Sequence, residues 1–102
     1  MGYDKRGFLG VEEFSMKLPL VDENGRSKGY MYLSNLKIPR NIPRAGETVV
    51  IIGGALEGRV AEVGHSRFFA SVHITFEPVQ DSWRSEIEKS EWDKGWVWRE
   101  PQ

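Results

Sequence analysis

Between Gly46 and Phe76 the chain alternates runs that favour extended backbone with glycines that interrupt them, and this segment limits the possible folds more than any other. Thr48 to Ile52 is wholly β-branched. Such side chains lose rotamer freedom in a helix but pack well on a pleated sheet. Gly53-Gly54 breaks the run and Gly58-Arg59-Val60 restarts it. Further on, Phe68, Ala70, Val72, Ile74 and Phe76 fall on one face, and Phe69, Ser71, His73, Thr75 and Glu77 on the other. A period of two marks a half-buried strand, so strands are predicted at Glu47 to Ile52, Arg59 to Gly64 and Phe69 to Glu77.

The same period appears upstream, where Phe14, Met16, Leu18 and Leu20 alternate with Ser15 and Lys17. Asn24-Gly25 follows, and both residues tolerate the positive φ of a type I′ hairpin turn. The return strand, Gly29 to Leu36, sets Met31 and Leu33 on one face and Tyr30, Tyr32 and Ser34 on the other. Ile38-Pro39-Arg40-Asn41-Ile42-Pro43-Arg44 then forbids helix and central strand alike, because its two prolines lack donors for a ladder. It reads as an extended connector with both arginines outward.

Pro78 is expected to end the sheet region. Asp81 and Ser82 suit a helix N-cap, and Trp83 and Ile87, four apart, share one face of a short helix. Trp92 falls on the opposite face at ~100° per residue. Gly95 suits a terminator, and Trp96-Val97-Trp98 alternates like an edge strand. The expected organisation is a flexible segment at 1–10, a β domain at 11–80, and a C-terminal helix with a short strand at 81–102.

A chain of 102 residues buries one modest core, which argues for a single domain that gains from self-association. With no cysteine it has neither disulfides nor thiolate metal sites, and a reducing, cytoplasmic setting is the default. No apolar run approaches the ~20 residues of a membrane helix, so no membrane partner is expected. The net charge of −1 hides an asymmetry. Arg26, Lys28, Lys37, Arg40 and Arg44 occur without an acid between Asn24 and Gly46, whereas six acids against four bases follow from Asp81 onward. One end attracts polyanions and the other opposes it.

Gly46-Glu47-x-Val49-x-Ile51, then Gly53, then Gly58-x-Val60-x-x-Val63 resembles the KOW motif and related Src-homology-3-like small barrels of ribosomal proteins and transcription factors. The likeness covers about a third of the chain. It implies a small, bent, mainly β barrel of five to six antiparallel strands with one C-terminal helix, and more faintly a nucleic-acid partner. The glycine loop departs from the pattern: a KOW loop carries lysines, and here it reads Gly53-Gly54-Ala55-Leu56-Glu57-Gly58. In type the chain also looks like the small proteins carried by mobile gene cassettes and phages.

Two groups of residues are candidates for function. The first is the set of four tryptophans, Trp83, Trp92, Trp96 and Trp98, all in the last twenty residues. Indoles carry large apolar area with a polar N–H and serve as interface anchors, although they close equally well over a core. The second is Arg26, Lys28, Lys37, Arg40 and Arg44 with Tyr30 and Tyr32, since cations neutralise phosphates and flat rings stack bases. Tyrosines two apart also cover sheet faces with no ligand at all. His65 and His73 lack the converging ligands of a metal site, and Ser66 beside His65 is no triad. With no cofactor motif visible, the expected function is a non-enzymatic module that binds a protein or itself through the tryptophans. The alternative is a nucleic-acid-binding barrel that uses the basic segment. A small-ligand pocket between barrel and helix is a third possibility.

Overall fold

The computed structural model describes residues 13–36, 41–52, 56–66, 71–89 and 95–101. The expected flexible segment 1–10, together with Lys37, Arg40 and Trp92, lies outside them. The described chain is mainly β: β1 (Glu13–Val21), β2 (Ser27–Leu36), β3 (Thr48–Ile52), β4 (Leu56–Ser66), β5 (Ser71–Phe76), β6 (Val79–Gln80), the helix α1 (Ser82–Lys89) and β7 (Val97–Arg99). The strand order is β3-β4-β5-β1-β2-β7, with β6 continuing beside β1. The path is open, with β3 at one end and β7 at the other.

Two expectations are corrected by this topology. The described residues form seven strands, and these are not all antiparallel: β1 runs parallel to β5, Phe14 opposite Val72 and Met16 opposite Ile74, and parallel to β6. The reason is connectivity. After the β1–β2 hairpin the chain passes to the other flank of β1, adds β3 and β4, and arrives at β5 in the direction of β1. Nor does Pro78 end the sheet. Pro19 in β1 and Pro78 in the opposing chain both lack an N–H, and both lie where the β1–β5 ladder stops, at Lys17 opposite Thr75. Pairing resumes at Leu20 opposite Val79, and the Asp81 N–H extends it to the Val21 carbonyl at 2.8 Å.

The alternation read from the sequence sets the core. Phe14, Leu18, Leu20, Met31, Val72, Ile74 and Phe76 are buried, with Ile87 of α1 packed among them. β4 is one bent strand rather than a run that begins at Gly58. Its first half pairs with β3 and its second with β5, and the register slips between Val60 and Glu62, where a bulge turns it. Gly58 lies inside this strand because a Cβ there would meet Ile51 Cδ1 at 2.6 Å and Phe76 Cδ1 at 2.9 Å.

The β1–β2 turn also differs in detail. The Gly25 N–H donates to the Asp22 carbonyl at 2.9 Å, and Gly25 itself holds φ at 81°. That is a three-residue loop ending in a left-handed glycine, not a two-residue I′ turn. The Asp22 carboxylate explains the choice, because its Oδ1 accepts from the Asn24 and Arg26 N–H groups at 2.8 and 2.9 Å.

Candidate binding face

Register decides which side chains share the face of the sheet away from the core. Lys17 lies between Thr75 of β5 and Tyr32 of β2, and Tyr32 lies opposite Val97 of β7. One step along, Pro19, Tyr30 and Arg99 form a second row. Ser15 and His73 form a third with Gly64. The β1–β2 hairpin and the distant strand β7 thus bring Tyr30, Tyr32, Lys17 and Arg99 onto one open surface.

The two rings meet edge to face, centroids 6.5 Å apart and planes at 86°. Lys17 Nζ stands 4.5 Å over the Tyr30 ring and the Arg99 guanidinium 5.9 Å from that of Tyr32. Such cation–π contacts are worth ~0.5–1 kcal/mol at exposed sites, enough to orient a side chain and weak enough to be exchanged for a ligand. Beside Tyr30 runs a shallow groove of 250 Å³ lined by Lys17, Pro19, Ser27, Gly29, Thr75 and Pro101. Glu62, paired with Thr75, and Glu13, paired with Ser71, sit at the far margins of the same face.

The described members of the basic group, Arg26, Lys28 and Arg44, disperse. Lys28 lies with Asp22 and Asp81 around the hairpin. There the Arg26 N–H is the main cause that holds the Asp22 carboxyl below its ordinary pKa, and the Lys28 charge adds to it. Arg26 is exposed at the turn. Arg44 lies at the foot of β3, its N–H donating to Glu47 Oε1 at 2.8 Å. Sequence reasoning missed Lys17 and Arg99, because cross-strand neighbours carry no spacing signal. The alternation of Lys17 against Leu18 did show that it faces away from the core.

The three described tryptophans all lie at the margin of the core. Trp83, Trp96 and Trp98 are half-buried and pack against the core cluster. Trp98 is held most firmly. Its Nε1–H donates to the Lys28 carbonyl at 3.0 Å, and the Arg84 guanidinium lies 4.2 Å over its ring. Gly29, with φ of 91°, makes room, since a Cβ there would stand 2.7 Å from Trp98 Nε1.

His73 is hydrogen-bonded through Nδ1 to Ser15 Oγ and approaches Ser71 Oγ with Nε2 at 3.5 Å. Both serines are buried, Ser15 at 1% exposure. His65 pairs with Val72, next to the Gly64–His73 pair, so the two histidines point to opposite faces. Among the described residues no three His, Cys, Asp or Glu side chains converge on a metal-sized site. An apolar recess of 330 Å³ lies under the connector, between Asn41, Pro43, Thr48 and Val49 and the sheet residues Phe14, Met16 and Ile74. No protein-family model, curated protein or solved structure matches the chain.

Proposed function

We propose that the chain is a non-enzymatic binding module whose open sheet face takes single-stranded nucleic acid. The observation that supports this reading is the juxtaposition of Tyr30 and Tyr32 with Lys17 and Arg99. Bases stack on Tyr30 and Tyr32; as they do so, Lys17 and Arg99 leave the ring faces and meet the flanking phosphates. The groove beside Tyr30 is shallower than the enclosed pockets that hold small molecules, which favours an extended ligand lying across the strands. The non-enzymatic part draws on Ser15. A nucleophile beside a histidine needs access to substrate, and a hydroxyl 1% exposed under His73 lacks it.

The test is titration of a fluorescent single-stranded oligonucleotide. Tyr30→Ala and Tyr32→Ala are each expected to cost roughly 1–3 kcal/mol of binding. Two phosphate contacts predict a log–log salt slope of about −1.4. Salt-independent binding, or binding indifferent to both tyrosines, would overturn the reading.

A second reading, association with a protein partner through the C-terminal tryptophans, rests on the partial exposure that Trp83, Trp96 and Trp98 retain. It predicts that Trp96→Ala changes the mass in solution while oligonucleotides leave the protein unaffected.

A further inference from the structure

On the core side of the sheet, away from Tyr30 and Tyr32, register lays Met16, Ile74 and Val63 in one row across β1, β5 and β4. All three belong to the core cluster or pack against it. The connector passes over this row and leaves two hollows. The apolar recess of 330 Å³ lies over Met16 and Ile74, and a second hollow of 380 Å³ lies over Val63. The two share Pro43, and their floors adjoin where Ile74 pairs with Val63. Their walls differ in character. The first is apolar apart from Asn41 and Thr48 at its exposed rim, whereas Arg44 and His65 line the second. No described acid lines either hollow. Glu47 accepts from the Arg44 N–H at 2.8 Å rather than pairing with its guanidinium, which has no carboxylate partner among the described residues.

We infer that these adjoining hollows bind a small apolar carboxylic acid, its hydrocarbon part over Met16 and Ile74 and its carboxylate beside Arg44 and His65. Empty space against an apolar wall forfeits dispersion contacts, and a ligand of matching shape restores them. The lining sets which end of the ligand lies where. Arg44 is a permanent cation that can present two N–H donors to a carboxylate, and an imidazole N–H of His65 adds a third. Size limits the occupant. Ligand pockets run from about 300 to 1,000 Å³, and an α-helix with its side chains is ~10–12 Å across. A recess of 330 Å³ therefore admits a ring or a short acyl chain and not a helix. The site is independent of the face proposed for nucleic acid, because Met16 and Ile74 pack toward the core while their neighbours Lys17 and Thr75 lie on the other side of the sheet.

Sodium octanoate and octanol share a chain and differ in charge, and titrating each into the intact protein under proton–nitrogen correlation spectroscopy tests this. Octanoate is expected to shift the Val49, Val63 and Ile74 amides saturably and to bind more tightly than the alcohol. Arg44 is exposed, so Arg44→Gln leaves the fold intact. It should weaken octanoate about fivefold, the upper end for an ion pair open to solvent, and leave octanol unchanged. Thr48→Trp, at the exposed rim, fills the recess and abolishes binding of both probes. Any of four results would overturn the inference: no saturable shift, octanol bound as tightly as octanoate, octanoate binding indifferent to both substitutions, or shifts confined to the Tyr30 and Tyr32 face.

Discussion

Gly58 is where one absent methyl has the clearest consequence. Ile51 and Phe76 close over it from β3 and β5, so alanine forces both to shift, and Gly58→Ala is expected to cost about 1–3 kcal/mol. A lowered urea midpoint at unchanged slope would show it; an unchanged midpoint would contradict the packing described. Asp22 gives the matching electrostatic case. Its carboxyl is held below the ordinary value by the Arg26 N–H first, against an opposing desolvation, and then by the Asn24 N–H and Lys28. A folded pKa below the unfolded one means that the contribution is complete above the unfolded value near 3.9 and is lost as pH falls through the folded one. Asp22→Asn should therefore flatten the acid limb of the stability profile below about pH 4, and a limb identical to the wild type would refute the assignment. Neither residue's role was legible as such. Gly58 reads as a strand opener until Ile51 and Phe76 are seen against it, and Asn24-Gly25 signals a turn without showing that Asp22 decides its length.

At the scale of elements, β7 and α1 are tied to the sheet through Trp98. The indole accepts Arg84 of α1 on its face and donates to Lys28 of β2, while Gly29 leaves it room. Trp98→Phe keeps most of the apolar area but removes the N–H, and should cost roughly 1–2 kcal/mol. Hydrogen exchange should then quicken first at β7 and α1, whereas uniform loss of protection would mean that these elements are not coupled this way. The faces of these elements were legible: Met31 and Leu33 inward, Tyr30 and Tyr32 outward, Ile87 against the core. Their neighbours were not. Alternation reports which way a side chain points and says nothing about which strand lies alongside, so the parallel β1–β5 pairing and the two-residue β6 stayed hidden.

For the whole molecule, the mainly β class and the closing helix followed from the sequence, while closure into a barrel is not seen among the described residues. The sheet runs open from β3 to β7, and no described helix is long and apolar enough to cross a membrane. The face away from the core is the one on which the proposed nucleic acid lies. Half of the candidate face was visible in Tyr30 and Tyr32; Lys17 and Arg99 joined them only through register. The claim that this face binds single-stranded nucleic acid is met most directly by anisotropy of a labelled oligonucleotide with wild-type protein and with Tyr30→Ala/Tyr32→Ala. Saturable binding that weakens with salt is expected, lost in the double variant while its circular dichroism is unchanged. Equal binding by both proteins, or none by the wild type at low salt, would contradict it.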